Sequence, residues 1–146
     1  MTTDTNNRIT MRIHLISSPD KVFEFLSTAV GREAFWADSA KEHDGVIHFH
    51  FSNGMEHKGK IVESIPQHRY SVEYFGGSKA TFELLAVAGG GTDLILTESE
   101  INEEWLADHK AGWITVLLTL KAAVDFSVDL RNSDPHRSWQ NGYVDV

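Results

Sequence analysis

Cysteine is absent from this 146-residue sequence. That excludes disulfides, thiol nucleophiles and cysteine-ligated zinc. Basic residues are scarce: 13 Lys and Arg stand against 21 Asp and Glu, for a net charge of −8. A phosphate-binding surface needs clustered cations, so nucleic acid is excluded as a partner, and an anionic membrane surface is disfavoured. Long hydrophobic runs are missing too. The most apolar stretch, "GWITVLLTLKAAVDFSVDLRN", has no charge from Ala111 to Leu120 and then meets Lys121, Asp125 and Asp129. A spanning helix needs about 20 apolar residues, so this is the helix of a folded domain. The start, "MTTDTNNRIT", lacks the apolar core of a signal peptide, and a cytoplasmic protein is expected. Gly89-Gly90-Gly91 has no Lys-Ser/Thr after it and is no phosphate loop. No Gly-x-Ser-x-Gly elbow, His-Glu-x-x-His or dinucleotide fingerprint occurs.

What is present suits one domain spanning 1–146, because 41% apolar and 10% aromatic residues can fill a core. Ile9, Met11, Ile13 and Leu15 alternate as in a strand. "SSPDKVFEFLS" follows, with a serine cap, Pro19 at the first helical position and Asp20 in the first turn. "AVGREAFW" predicts a second short helix. From 38 to 100 the period becomes extended, with candidate strands at 38–42, 45–51, 55–65, 69–75, 79–87 and 92–100. Turn signals such as Asp44-Gly45, Asn53-Gly54 and Gly76-Gly77 separate them and predict an antiparallel meander.

Asn102, Glu103 and Glu104 cap a long helix expected to reach about residue 130, a length of about 40 Å. Trp113, Val116, Leu117, Leu120 and Val124 form its apolar stripe, widened by Ile114 and Leu118. Its opposite side, Thr115, Thr119 and Phe126, is uncharged and calls for cover by the C-terminal tail or another subunit. Gly112 precedes Trp113 inside the helix, where glycine costs about 1 kcal/mol relative to alanine. Close packing, a kink or an approaching ligand would account for it.

The order strand, two short helices, meander, long helix resembles the helix-grip domains, the START-like or birch-pollen-allergen-like superfamily also called SRPBCC. Within it the chain resembles the branch named after the activator of the heat-shock-protein-90 ATPase. The residues that carry this are "SSPDKVFEFLS" before "FWADS", "KGKIVESIPQHRYSVEY", and "HKAGWITVLLTLKAAVDFSVDLRNSDPHRSW", and the likeness runs from about residue 9 to 143. The resemblance implies an α+β helix-grip fold, a curved antiparallel sheet wrapped around a long C-terminal helix with two short helices after the first strand. It also implies a cavity between sheet and helix for a lipid, sterol, polyketide-like or other apolar molecule. Alternatives are a cyclase or dehydratase using that cavity, and a chaperone ATPase-activating module.

On this reading the candidate ligand-binding residues are Trp36, Tyr70, Tyr74, Phe82, Trp113, Leu117 and Leu120. Glu98, ending the last strand, and His109, opening the long helix, are the candidate catalytic pair, acting as orienter and base; the alternative is surface charge at the ends of two elements. His48 and His50 share a strand face. If Asn53-Gly54 closed a two-residue turn, His50 would oppose His57, and three imidazoles could hold zinc or nickel, with Glu56 on the other face. No fourth ligand is evident, so neither metal nor cofactor is expected. A small apolar molecule is the expected partner, and a homodimer is one option. Pro135, Trp139, Tyr143 and Val144 predict a tail, 131–146, that folds back on the domain. Deleting residues 134–146 is expected to lower stability by about 1.5–3 kcal/mol, the worth of one buried aromatic, measured by urea unfolding; an unchanged midpoint and oligomeric state would make the tail a solvated end.

Overall fold

The computed structural model describes residues 7–146; the residues before them, including most of the polar start, lie outside the described residues. Strand β1 (Ile9–Leu15) leads into α1 (Pro19–Ser27) and α2 (Ala29–Glu33). The meander follows as β2 (Ser39–His43), β3 (Val46–His50), β4 (Glu56–Ile65), β5 (Arg69–Glu73), β6 (Lys79–Ala86) and β7 (Thr92–Ser99), and the long helix α3 is Leu106–Phe126. All strand pairs are antiparallel, in the order β1-β7-β6-β5-β4-β3-β2, so the first strand closes against the last.

Strand alternation sets the inner face. Phe49, Tyr70, Val72, Phe82, Leu84, Leu94 and Leu96 are buried together with Leu117, Leu120 and Val124 of α3. Each full burial of such a side chain is worth about 1.5–3 kcal/mol, and this shared core holds helix to sheet. The short helices have the expected starts. Ser18 accepts from the Lys21 N–H at 3.4 Å, and Thr28 from the Gly31 N–H at 3.0 Å. Arg32 is buried beneath α2, donating to the Ala40 carbonyl at 2.8 and 3.1 Å and to the Leu26 carbonyl at 3.2 Å. Among the described residues no helix is long and apolar enough to cross a membrane.

Two expectations need correction, and one conditional strand pairing is decided. The long helix ends at Phe126, not near 130, and at 21 residues is about 32 Å long. Ser127 takes the left-handed conformation, φ 55°, and the N–H groups of Ser127 and Val128 return to the carbonyls of Ala123 and Ala122, which terminates the helix. The hairpin after β3 has three loop residues, Ser52 to Gly54, closed by a 2.9 Å bond from Phe51 N–H to the Met55 carbonyl. That one-residue slip places His57 opposite Phe49 and Glu56 opposite His50, so the three histidines do not share a face. Lastly, Ile114 and Leu118 are half exposed, whereas Thr119 is buried and donates to the Phe35 carbonyl at 3.1 Å. The turn after α2 therefore covers part of α3 that sequence assigned to an outer back.

After α3 the chain returns along the helix. Thr115 Oγ1 donates to the Val144 carbonyl at 2.7 Å, Asn132 bonds the carbonyls of Arg137 and Asp145, and Ser138 is fully buried.

The C-terminal end of α3 is tied to the β1–α1 junction by Asp125. Its carboxylate accepts from the N–H groups of Ile16 and Ser17 at 3.0 and 3.1 Å, from Ser17 Oγ at 2.8 Å and from Lys121 at 3.2 Å. Burial opposes its ionisation, but these donors outweigh burial and hold the carboxyl below its ordinary value. A depressed folded-state value stabilises the protein above the unfolded value, and the gain is lost as pH falls through the folded one. Asp125→Asn is therefore expected to destabilise at pH 7, with the difference from wild type shrinking below about pH 4. Urea unfolding at both pH values measures it; a pH-independent difference would assign the effect to packing alone.

Candidate functional site

Leu94 and Leu96 of β7 point into the core, and the next residue on that face is Glu98, which is fully buried. A buried carboxylate is tolerated only when its lone pairs are satisfied. Three side chains do so here. Trp113 Nε1–H donates to Oε1 at 2.7 Å, His109 Nδ1 lies 2.9 Å from both oxygens, and Ser78 Oγ–H donates to Oε2. Ser78 starts β6's approach, and His109 and Trp113 sit one turn apart on α3, so the carboxylate joins sheet to helix. Asn102 positions that helix start, accepting from the Glu104 N–H at 3.3 Å and capping the 3-10 turn Glu103–Trp105 that runs into α3.

Beside this cluster is a cavity of about 480 Å³. Its helical wall is Trp105, His109, Gly112 and Val116, residues on one face of α3 and the turn before it. The turn after α2 contributes Trp36, the chain leaving β3 and β5 contributes Phe51, Tyr74 and Phe75, and the returning tail contributes Trp139 and Gln140. Trp36, Tyr74 and Trp113 form a tight aromatic group, with ring centroids 5.0 Å apart for Tyr74–Trp113, 5.8 Å for Trp36–Tyr74 and 6.0 Å for Trp36–Trp113. Trp105 and Trp139 stand partly exposed at the rim.

Most of the exposed wall is apolar, but Asp38, Ser52, Asn53, Asp108 and Gln140 line it as well as His109, Tyr74 and Arg131. Because Nδ1–H of His109 donates to the carboxylate, Nε2 is the ring's remaining polar atom, an acceptor when the ring is neutral and a donor when charged. Tyr74 Oη accepts from Trp36 Nε1 at 3.1 Å. Burial pushes the Tyr74 phenol above its ordinary value; the Trp36 bond opposes this and the nearby Glu98 charge adds to it, so it remains a neutral O–H donor. Arg131 also lines the cavity, but its guanidinium is engaged by the Ala37 and Glu33 carbonyls at 3.1 and 2.7 Å and by Asp129.

Of the residues singled out from sequence, Trp36, Tyr74, Trp113 and His109 meet at this cavity, with Glu98 directly behind. Tyr70, Phe82, Leu117 and Leu120 are packed in the core and form no part of its wall. Tyr70 shares a strand face with Tyr74 but lies four residues, about 13 Å, away; its hydroxyl accepts from Arg32 at 3.4 Å, inside the core. Phe82 backs the wall, 5.7 Å from Trp36 and 5.8 Å from Trp113. Ser78, Phe75 and Arg131 were not found by sequence reasoning. A signal for the carboxylate did exist, since Leu94, Leu96 and Glu98 share one face of a strand. Ser78 and Arg131 carried none, because both contacts span distant parts of the chain.

Seven antiparallel strands gripping a long C-terminal helix, with the two short helices after β1, define an α+β helix-grip protein. Residues 17–125 match the family model described as "Activator of Hsp90 ATPase homolog 1-like protein", and the chain belongs to that family. No curated protein matches the sequence. Among solved structures, protein SSP2350 from Staphylococcus saprophyticus is 21% identical, with a TM-score of 0.75 over 85% of this chain and 96% of that one. The Aha1 of Colwellia psychrerythraea, described as a dimer in solution, is 26% identical, with a TM-score of 0.73 over 82% and 96%. The AHSA1-like protein from Aeromonas hydrophila is 16% identical, with a TM-score of 0.71 over 82% and 93%.

Replacing Glu98 by alanine would orphan the indole N–H of Trp113 and open a void, so Glu98→Ala is expected to cost about 2–4 kcal/mol. Glu98→Gln, which keeps an acceptor for Trp113, should cost less. Urea unfolding of both variants checks the order; equal midpoints for Glu98→Ala and wild type would show that the carboxylate does not hold α3 to the sheet.

Proposed function

We propose that this protein binds a small, mainly apolar molecule in the cavity between α3, the β3–β4 hairpin and the returning tail, with one polar group of the guest on His109 Nε2. The observation that carries this reading is the composition of the wall: a cavity of about 480 Å³, within the usual range for small-molecule sites, is lined by seven aromatic rings beside one imidazole–carboxylate pair. Aromatic walls favour an apolar guest, and a single oriented polar group discriminates among guests.

A second reading is supported by the His109–Glu98 geometry. A carboxylate accepting from Nδ1–H holds the neutral ring in the tautomer with Nε2 unprotonated, which suits Nε2 for taking a proton from a bound molecule. A dehydratase or cyclase acting on a polyketide-like substrate would use it so. Self-association is favoured by Ala107, Ile114 and Leu118, exposed apolar residues on the outer side of α3, and by the dimeric description of the Colwellia relative.

Native mass spectrometry of freshly purified protein tests all three. Binding predicts a co-purified small molecule that quenches tryptophan fluorescence when added back and is held more weakly by His109→Ala. Catalysis predicts in addition that the molecule changes mass, for dehydration by loss of one water, with wild type but not with His109→Ala. The same spectrum reports the oligomeric state. A protein that carries no small molecule, and whose tryptophan fluorescence is indifferent to a panel of lipids, sterols and polyketides, is not a binder of this kind.

A further inference from the structure

Three glycines of this chain have ordinary backbone angles: Gly31, Gly59 and Gly112. At the first two, packing forbids any side chain. A Cβ on Gly31 would come within 2.4 Å of the Phe25 Cα, and one on Gly59 within 2.4 Å of the Glu73 carbonyl oxygen. Gly112 differs. Its nearest neighbours would be two ring carbons of Trp139, at 3.9 and 4.0 Å, which is ordinary van der Waals contact. Alanine would fit, and alanine stabilises a helix interior where glycine weakens it. The packing of the folded protein therefore gives no reason for a glycine in the middle of α3.

The cavity supplies one. Gly112 lies on its wall, between His109 one turn before and Val116 one turn after, and the space above it is open apart from the edge of Trp139. We propose that Gly112 is a specificity-determining residue: its missing side chain lets a planar ring lie directly against the backbone of α3, next to the free nitrogen of His109. The rings around that space favour a flat guest, because aromatic groups stack or meet edge to face. The inference rests on the ligand-binding reading, and names the shape of guest that the site selects.

The test is the pair wild type and Gly112→Ala, titrated with the uncharged planar dye Nile red and melted in its absence. Alanine is expected to leave the melting temperature unchanged or raise it by about 3 °C. It is expected to weaken dye binding at least about tenfold, the usual effect of one misplaced methyl group in an apolar pocket. A variant that binds the dye as wild type does overturns the inference and leaves the binding reading standing. A variant that melts clearly lower also overturns it, since folding would then account for the glycine. A wild type that takes up no dye removes the binding reading itself, and this inference with it.

Discussion

A charge placed where water cannot reach it organises this molecule. Glu98 occupies a core position on β7, and its carboxylate is held by donors from Ser78, immediately before the paired strand β6, and from two successive turns of α3. Such a group is costly unless every partner is present, so it couples their positions. The start of α3 must lie where His109 and Trp113 both reach Glu98. That in turn sets the indole of Trp113 against Tyr74 and Trp36, and puts His109 on the cavity wall.

The two ends of α3 are consequently different in kind. Toward the C-terminus, Leu120 and Val124 are fully buried and Asp125 is bonded to the β1–α1 junction, so that end is filled and fixed. Toward the N-terminus, the wall is made of large rings and a glycine. Rigid rings meeting at angles leave space that flexible aliphatic side chains would close. The cavity lies at that end, bounded by the Ser52–Gly54 loop and by the chain that returns after Phe126. Core and candidate site thus share one helix and divide it along its length.

Much of the fold was legible in the sequence because it depends on local chemistry. The meander's strands follow from alternation and its breaks from Gly, Asn and Asp; the observed strands fall within a few residues of the segments read from periodicity. The histidine hairpin shows where this ends. Asn53-Gly54 marked a turn, but whether two or three residues form the loop changes the register by one, and that decides whether His57 faces Phe49 or lies beside His50. The helix end was misplaced for a similar reason. Polar and apolar residues continue past Phe126 in a pattern a helix could bear, and only the left-handed turn at Ser127 stops it.

Sequence by itself determined the element types, the family, the absence of cysteine chemistry and the acidic balance, all of which follow from residue identity and short-range spacing. It also contained Glu98 as a carboxylate in an apolar strand series and Gly112 as an unfavourable residue in a helix. Only the tertiary structure placed Glu98 against Ser78, His109 and Trp113, and Gly112 on the cavity wall. Tyr70 and Tyr74 are equivalent in strand period, yet one is bonded to Arg32 in the core and the other stands at the cavity, because periodicity assigns a face and not a depth along it. Contacts such as Ser78 with Glu98, or Arg131 with the carbonyl of Ala37, join residues with no pattern between them. They exist because the sheet curves around the helix and brings those atoms within bonding distance.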